Sequence, residues 1–420
     1  MIAPRKPTLD ESNRLFTAAM IGGGGVAGST ISVLFAGALL AGILRLWQGR
    51  IALPRGKAVL AIGASFAAYF LADALSTAVN YTSPSSLLEG VYSNIPFLIF
   101  LISYGRLSLS RREDVLTAMQ GGVVAGSIGA LVYALIQTEV LGLPRAEGLA
   151  GNPGPFALVC IILYSFATVS AVRGPGRIAA WSAIAAACAA GAVLLSGMRA
   201  LWPLLLIAPV IPLLMFRYTR RAPLGPRMIA ATLVLALGVL SLSYGIVETR
   251  VVRLIGDMED VQEGELDNSL GRRLRMWQAA GELIVERPIF GHGPAEAAVL
   301  MSERASQDGL GTFSYTHAHN LILNAWMRSG ILGVFALLAV LFVPVIAAHR
   351  APKDDLGRCG YAMMLILTLS YVVSGLFNLS FGQDIMDILY IYAMICATYL
   401  VFGSSSTPRV QDAPPLDAPP

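Results

Sequence analysis

The sequence predicts an all-α polytopic membrane protein with about twelve transmembrane helices. Three observations support this prediction. Hydrophobic residues make up 55% of the chain and charged residues only 13%, whereas about a quarter of the residues of an average soluble domain are charged. The apolar residues form long continuous runs, each suited to a helix that crosses a bilayer. A transmembrane β-barrel would instead show short segments of alternating polarity.

Twelve apolar runs are assigned as membrane spans. The first two are the least regular, because the glycine-rich stretch "IGGGGVAG" interrupts them and the first run is short for a full span. The assigned spans are 15–28, 29–47, 58–80, 84–104, 114–138, 153–173, 177–196, 199–216, 227–247, 320–348, 359–377 and 384–402.

The distribution of Lys and Arg predicts the orientation of these spans. With twelve spans and a cytoplasmic N-terminus, 20 of the 30 Lys and Arg residues lie at the inner ends, whereas the short outer loops contain only Arg145 and Arg199. Positively charged residues favour the cytoplasmic side in this way. Merging the first two spans would move three cations outside, so they are kept as a hairpin of two short or broken helices. Both termini are then cytoplasmic.

The topology divides the chain into four parts. Residues 1–247 contain spans 1–9, residues 248–319 form one long outer loop, residues 320–403 contain spans 10–12, and residues 404–420 form a disordered cytoplasmic tail. The net charge of +4 follows from this topology and does not indicate nucleic-acid binding. The four cysteines are scattered without a CxxC pair, which favours packing roles.

The long outer loop contains two kinds of segment. The first, "GDMEDVQEGELD", lacks the ligand spacing of a calcium loop, so a solvated acidic linker is favoured over a cation site. The second, "NSLGRRLRMWQAAGELIVERPIFGHGP", is typical of an amphipathic helix at the outer membrane surface. The residues on its apolar face are Leu270, Leu274, Trp277, Gly281 and Ile284.

Two arginines on the predicted outer side are candidates for binding an anion. Arg199 lies in the turn "SGMRALW" between spans 7 and 8, where an outer arginine runs against the charge distribution. Arg273 lies one helical turn from Leu270 and Trp277, so it borders the apolar face. Either guanidinium could hold a phosphate through paired hydrogen bonds. Either could equally be a snorkelling or anchoring residue at the membrane surface.

The histidines of "FSYTHAHNLILN", His317 and His319, lie directly before span 10. From the residues alone, three interpretations stay open. The first is a metal site, although histidines at i and i+2 chelate poorly from a helix and only His292 lies on the same side. The second is proton transfer, because imidazole titrates near neutral pH. The third is capping of span 10, which Thr316 and Asn320 could also perform.

Several segments, taken together, resemble the O-antigen ligase and polymerase superfamily. "RLRMWQAAGELIVERPIFGHGP" is similar to its R-x-x-x-W…P-x-x-G-x-G signature, and "HAHNLILNAWMRSGILG" is similar to its H-N-x-x-L…G-(I/L)-x-G continuation. "SGMRALWPLL" resembles the family's S-x-x-R-(G/A) turn, and "GNPGPFALVC" resembles its Asn-Pro segment. These segments occur in the family's order. The layout of twelve spans with a long periplasmic loop after span 9 also matches.

The resemblance implies a GT-C-like glycosyltransferase of the bacterial inner membrane, with residues 248–319 as a periplasmic catalytic loop. Members take a glycan from undecaprenyl pyrophosphate and need no nucleotide sugar, so no cofactor or metal is expected. Arg199 and Arg273 match the family arginines thought to hold the pyrophosphate, and His319 matches the proposed general base. His317 has no counterpart. The further substrate-binding candidates are Asn320, Asn152 and Trp277.

The function implied by the resemblance is transfer of the glycan to lipid A–core oligosaccharide, with inversion of the anomeric centre. An alternative is an O-antigen or exopolysaccharide polymerase, which adds the glycan to another lipid-linked repeat. A transporter or flippase for a lipid-linked glycan is an alternative of another class, which would need outer cations but no proton acceptor at His319. The expected partners are the lipid-linked donor, a glycan or lipid A–core acceptor and membrane lipids.

Overall fold

The computed structural model describes residues 8–24, 26–92, 94–174, 176–216, 226–263, 268–307 and 316–404. These residues form helices joined by turns, and no β-strand occurs among them, which confirms the predicted all-α fold class. Residues 405–420 of the predicted tail lie outside the described residues. The α-helices are α1 (Leu9–Gly23), α2 (Thr30–Trp47), α3 (Lys57–Val79), α4 (Pro84–Tyr92), α5 (Phe100–Leu107), α6 (Arg112–Leu135), α7 (Pro153–Arg173), α8 (Gly176–Leu195), α9 (Trp202–Ile207), α10 (Val210–Met215), α11 (Pro226–Gln262), α12 (Ser269–Glu286), α13 (Pro294–Gln307), α14 (Leu321–Arg350), α15 (Asp355–Phe377) and α16 (Asp384–Phe402).

Eight helices in the described part of the chain are long and apolar enough to cross a membrane: α2, α3, α6, α7, α8, α14, α15 and α16. A ninth candidate consists of α4 and α5 with the turn between them, bent by 44°. Each of these nine coincides with one predicted span. The chain is therefore a multi-pass membrane protein.

The other three predicted spans coincide with helices that do not pass the same test among the described residues. α1 has only 15 residues and ends in the glycine-rich stretch. The predicted span 199–216 is an apolar segment broken at Pro209 between α9 and α10. The predicted span 227–247 lies in α11, whose 37 residues continue into the acidic segment, so helix replaces the expected linker as far as Gln262. The count of twelve stays a prediction.

α16 forms the centre of the bundle, because 94% of its apolar stretch is buried. Aromatic rings surround it, and the ring of Tyr390 lies 4.5 Å from that of Tyr371 and 5.0 Å from that of Phe381. Both tyrosine hydroxyls donate to backbone carbonyls, Tyr390 to Val340 at 2.9 Å and Tyr371 to Met386 at 2.5 Å. A buried tyrosine needs such a partner for its polar tip. The core is thus tied together by directional contacts as well as by packing.

The turn after α12 docks onto a kink in α14. Gly330 leaves helical geometry there, with a φ of +63° that favours glycine. After the kink, the backbone N–H of Ile331 donates to the carbonyl of Pro288 at 2.9 Å. Before the kink, the carbonyl of Met327 accepts from the N–H of His292 at 3.0 Å. The helical hydrogen bond that the kink removes is replaced by two bonds to the turn. These contacts hold the outer loop against α14.

A buried ion pair fastens the same kink to α3. Nη2 of Arg328 lies 2.7 Å from Oδ2 of Asp73, and the two side chains are only 13% and 5% exposed. Asn94 and Ser329 also donate hydrogen bonds to the Asp73 carboxylate. These residues were not among the candidates predicted from the sequence, although an ionisable residue inside an apolar span is itself a signal.

Replacing Asp73 with alanine is expected to lower the free energy of unfolding by about 3–5 kcal/mol, because Arg328 would remain buried without its carboxylate. Denaturation in detergent micelles measures this loss. A matched control is Asp10→Ala, since the pair of Asp10 with Arg14 is exposed (36% and 40%) and such pairs contribute at most about 1 kcal/mol. Equal losses in the two variants would contradict the role of the buried pair.

α12 confirms the predicted helix in the outer loop, and the side that packs against protein differs from the apolar face that was predicted to lie at the membrane surface. Of that face only Ile284 is buried, and Leu274 stays 40% exposed. The face in contact with α13 and α14 is centred on Ala279 and Ala280, together with Leu283. The small side chains of Ala279 and Ala280 let α12 approach its neighbours closely.

Candidate active site

His319 lies in the turn that precedes α14, on the predicted outer side. Its backbone φ is +46°, in the left-handed region that is uncommon for a residue other than glycine. Its Nδ1 lies 3.2 Å from Oδ1 of Asn378, the residue that follows α15. The rings of His317 and His319 are 4.3 Å apart, and the hydroxyl of Thr316 lies 3.2 Å from Nδ1 of His317. Contacts with Thr316 of the same turn and with Asn378 at the end of α15 therefore position the two histidines.

Two asparagines begin the helices next to His319. Oδ1 of Asn320 accepts hydrogen bonds from the backbone N–H groups of Ile322 at 3.1 Å and Leu323 at 3.2 Å. Oδ1 of Asn152 accepts from the N–H of Gly154 at 2.8 Å. Both side chains are N-caps, so the capping interpretation holds for Asn320. Their binding of substrate stays a prediction.

Asn378 connects these helix ends. Its Oδ1 faces His319, and its Nδ2 faces the first turn of α7, where a Cβ built on Gly154 would lie only 2.5 Å away. Because Gly154 has no side chain, it leaves the space that the Asn378 amide occupies. The starts of α7 and α14 and the end of α15 meet at this one side chain.

Four arginines from separate parts of the chain lie close enough for their charges to interact: Arg145, Arg199, Arg250 and Arg273. We call these residues the arginine cluster. Arg199 is held in it by two contacts. Its Nη1 donates to the carbonyl of Arg250 at 2.5 Å, and its Nη2 lies 3.7 Å from Oδ2 of Asp257. The side chains of Arg199 and Asp257 are both mostly buried.

Burial and mutual repulsion both disfavour the charged forms of Arg145 and Arg273 in the arginine cluster. Burial, followed by the charge of Arg250, lowers the pKa of Arg145 to about 10, with smaller effects of Arg199 and Arg273 and an opposing one of Glu147. Burial and then the charge of Arg199 lower the pKa of Arg273. An anion placed among these guanidiniums would relieve the repulsion and accept charge-assisted hydrogen bonds.

His319 is electrostatically coupled to the arginine cluster. Burial, followed by the charge of Arg273, lowers the pKa of His319, whereas the hydrogen bond to Asn378 opposes this shift. Burial, followed by the charges of His319 and Arg328, lowers the pKa of His317 to about 4. Both imidazoles are therefore neutral at pH 7, which is the form that accepts a proton. Arg273 interacts with both Arg199 and His319, so the three predicted residues converge.

Trp277 and His292 belong to α12 and to the residues that pack against it. Trp277 is half-buried on α12, and within the described ranges its Nε1 is a buried donor without a hydrogen-bond partner. Its binding of substrate stays a prediction. Nε2 of His292 lies 2.8 Å from the carbonyl of Leu283, so this ring is engaged in the packing of α12. In the part of the chain that the structure describes, no group of three or more His, Cys, Asp or Glu side chains is arranged to hold a metal ion.

Three residues of this site escaped the sequence analysis as functional candidates: Arg145, Arg250 and Asn378. Arg145 had a usable signal, because it is one of only two cations in the short outer loops. The sequence carried no comparable signal for Arg250 or Asn378. The first is one of several charges in the long outer segment, and the second follows a span as an ordinary helix-terminating residue.

Comparison with known proteins relates the region that contains this site to a known family. Residues 184–338 match the family model described as O-antigen ligase. The matched range includes Arg199, Arg273 and His319. This match and the relatives below support a relationship to the O-antigen ligase and polymerase superfamily.

Two curated relatives fit this assignment. The chain is 26% identical over 180 residues to the O-antigen ligase of Escherichia coli K12, which is 41% of this chain and 41% of that protein. It is 25% identical over 142 residues to an uncharacterised protein of Haemophilus influenzae, which is 32% of this chain and 35% of the relative. The matches thus span less than half of either relative.

Proposed function

We propose that this protein transfers a glycan from undecaprenyl pyrophosphate to lipid A–core oligosaccharide at the periplasmic face of the bacterial inner membrane. The observation that carries the proposal is the position of Arg273. Its charge acts on Arg199 and on His319 alike, so a cationic site and a neutral imidazole lie next to each other. Lipid-linked pyrophosphate and an acceptor hydroxyl are the two groups that such a pair suits.

The arginine cluster supports binding of the pyrophosphate. Negative charge develops on this leaving group as the glycosyl bond breaks, and fixed cations at that position stabilise the transition state more than the ground state. Arg199 and Arg273 are assigned to the two phosphates, with Arg145 beside them. Guanidiniums bind phosphate oxygens through paired hydrogen bonds, so we propose that the reaction proceeds without a metal.

His319 supports the role of general base. Its neutral imidazole takes the proton from the acceptor hydroxyl as the oxygen of that hydroxyl attacks the anomeric carbon. The bond from the anomeric carbon to the pyrophosphate oxygen breaks in the same step, and the electron pair leaves with undecaprenyl pyrophosphate. In-line attack inverts the anomeric centre. The products are the glycosylated acceptor, the lipid pyrophosphate and a protonated His319.

Expression in a Gram-negative strain that lacks its own O-antigen ligase tests the acceptor. The proposal predicts that long-chain lipopolysaccharide returns. A ladder of longer lipid-linked glycans without modified lipopolysaccharide would instead favour the polymerase. A change in the membrane side of the lipid-linked glycan, with neither product, would favour the transporter. Vector alone and His319→Ala serve as controls at matched expression.

The pH dependence of transfer follows from the sign of the His319 shift. A lowered pKa means that His319 loses its proton at a pH below 6.5, the usual pKa of imidazole. The acidic limb of the pH profile of kcat/KM should therefore lie below that value. Replacing Arg273 with glutamine removes a positive charge, raises the pKa of His319 and should move this limb to higher pH. A pH–rate profile of the two proteins measures the displacement. An unmoved limb would contradict the coupling of these two residues.

A further inference from the structure

We propose that Asn378 is a positioning residue, whose side-chain oxygen accepts the Nδ1–H of His319 and so leaves Nε2 as the nitrogen that takes the proton. This inference rests on the proposed function, because it assigns the atom through which the base acts. His319 and Asn378 lie 59 positions apart in the chain, and Asn378 lies outside the matched range.

The hydrogen-bonding capacity of the two groups decides the tautomer. An amide oxygen only accepts hydrogen bonds, and a neutral imidazole carries one N–H. With Oδ1 of Asn378 at 3.2 Å from Nδ1 of His319, the proton belongs on Nδ1 and the lone pair on Nε2. Which nitrogen carries the proton is generally set by the bond that the other one makes.

The two ends of the Asn378 amide face different neighbours. Nδ2 faces the first turn of α7, next to Gly154. Oδ1 is then the end directed at His319. The backbone of Asn378 is extended, with φ −153° and ψ 178°, and it follows the last residue of a buried helix. The amide is therefore held between two membrane helices.

A neutral partner suits a base beside a cation. The charged or titratable groups that face His319 are Arg273 from α12 and His317 from its own turn, and Arg328 of α14 acts on His317. A carboxylate in place of Asn378 would orient the ring equally well, but it would favour the imidazolium and reduce the fraction of free base. The amide orients the ring and leaves it neutral.

Three variants of the full-length protein test the proposal: Asn378→Asp, Asn378→Leu and Gly154→Ala. Asp keeps an acceptor at the same place, so transfer at high pH should be retained while the acidic limb moves up by about one pH unit. Leu removes the acceptor and should lower kcat/KM by roughly tenfold or more without moving the limb upward. Gly154→Ala displaces the amide, so it should reduce transfer alone and add little to Asn378→Leu.

A second readout does not depend on activity. Diethylpyrocarbonate modifies neutral imidazole, and mass spectrometry resolves its reaction at His319 from that at the other three histidines. In Asn378→Asp the pH profile of this modification should move upward together with the rate profile. Melting in detergent shows that each variant is folded.

The possible outcomes separate the two claims. An unmoved modification profile in Asn378→Asp, or undiminished transfer by folded Asn378→Leu, would overturn the positioning role of Asn378. A modification profile that moves as expected while the rate profile stays unmoved would instead contradict His319 as the base, and with it the proposed function. Joint movement of the two profiles, with the loss in Asn378→Leu, supports the proposal.

Discussion

Replacing His319 with alanine is expected to reduce the rate of glycan transfer by about 10²–10⁴-fold, the contribution typical of a positioned general base. The imidazole is partly buried and neutral, and it is bonded to Asn378 and coupled to Arg273. The neighbouring His317 is a weak base, since burial holds its pKa at about 4. The measurement is product formation by purified protein at saturating donor.

The matched control for this variant is His349→Ala. His349 lies at the opposite end of α14, where its Nδ1 contacts the hydroxyl of Tyr361 at 3.0 Å. Its removal should leave the transfer rate unchanged. Donor binding by His319→Ala should also be retained, because the arginine cluster is intact. Transfer at the wild-type rate by folded His319→Ala would exclude the general-base role.

Replacing Arg273 with glutamine is expected to reduce kcat by about 10²–10³-fold, as when one preorganised group that stabilises developing charge is lost. Arg273 is mostly buried beside Arg199, so the charge of its guanidinium is weakly screened by solvent. Arg273→Lys keeps the charge but loses the paired hydrogen bonds, and it should be intermediate. Steady-state rates with the lipid-linked donor measure both effects.

Arg275→Gln is the matched control, because Arg275 lies two residues further along the same helix and outside the arginine cluster. It should retain most of the activity. Wild-type kcat in Arg273→Lys would show that only charge is needed. Wild-type kcat in Arg273→Gln would contradict the assignment of Arg273 to the pyrophosphate altogether.

The features that could be predicted from sequence are those with a local signal. Apolar runs predicted nine segments that the structure also presents as candidate spans. Charge distribution and the family-like motifs placed Arg199, Arg273 and His319 on one side, where the structure brings them together. The N-cap at Asn320 followed from its position directly before an apolar helix.

The features that escaped prediction depend on contacts between distant segments. Asn378 lies beside His319 only because α15 ends where α14 begins. The packing face of α12 was not predicted, because apolar periodicity does not separate a face that meets lipid from one that meets protein, and Ala279 and Ala280 give little hydrophobic signal. Asp73 and Arg328 each stood in a separate span, and only the fold shows that they neutralise each other.

Transfer in detergent micelles tests the central claim most directly, because micelles have no compartments and a transporter would yield no product there. Purified protein is mixed with an undecaprenyl-pyrophosphate-linked O-antigen glycan and lipid A–core oligosaccharide, with EDTA present, and the glycosylated acceptor and released lipid pyrophosphate are quantified. We expect equal amounts of the two products from the wild-type chain and almost none from His319→Ala. Failure of folded wild-type protein to join donor and acceptor, with EDTA or with added divalent metal, would contradict the account.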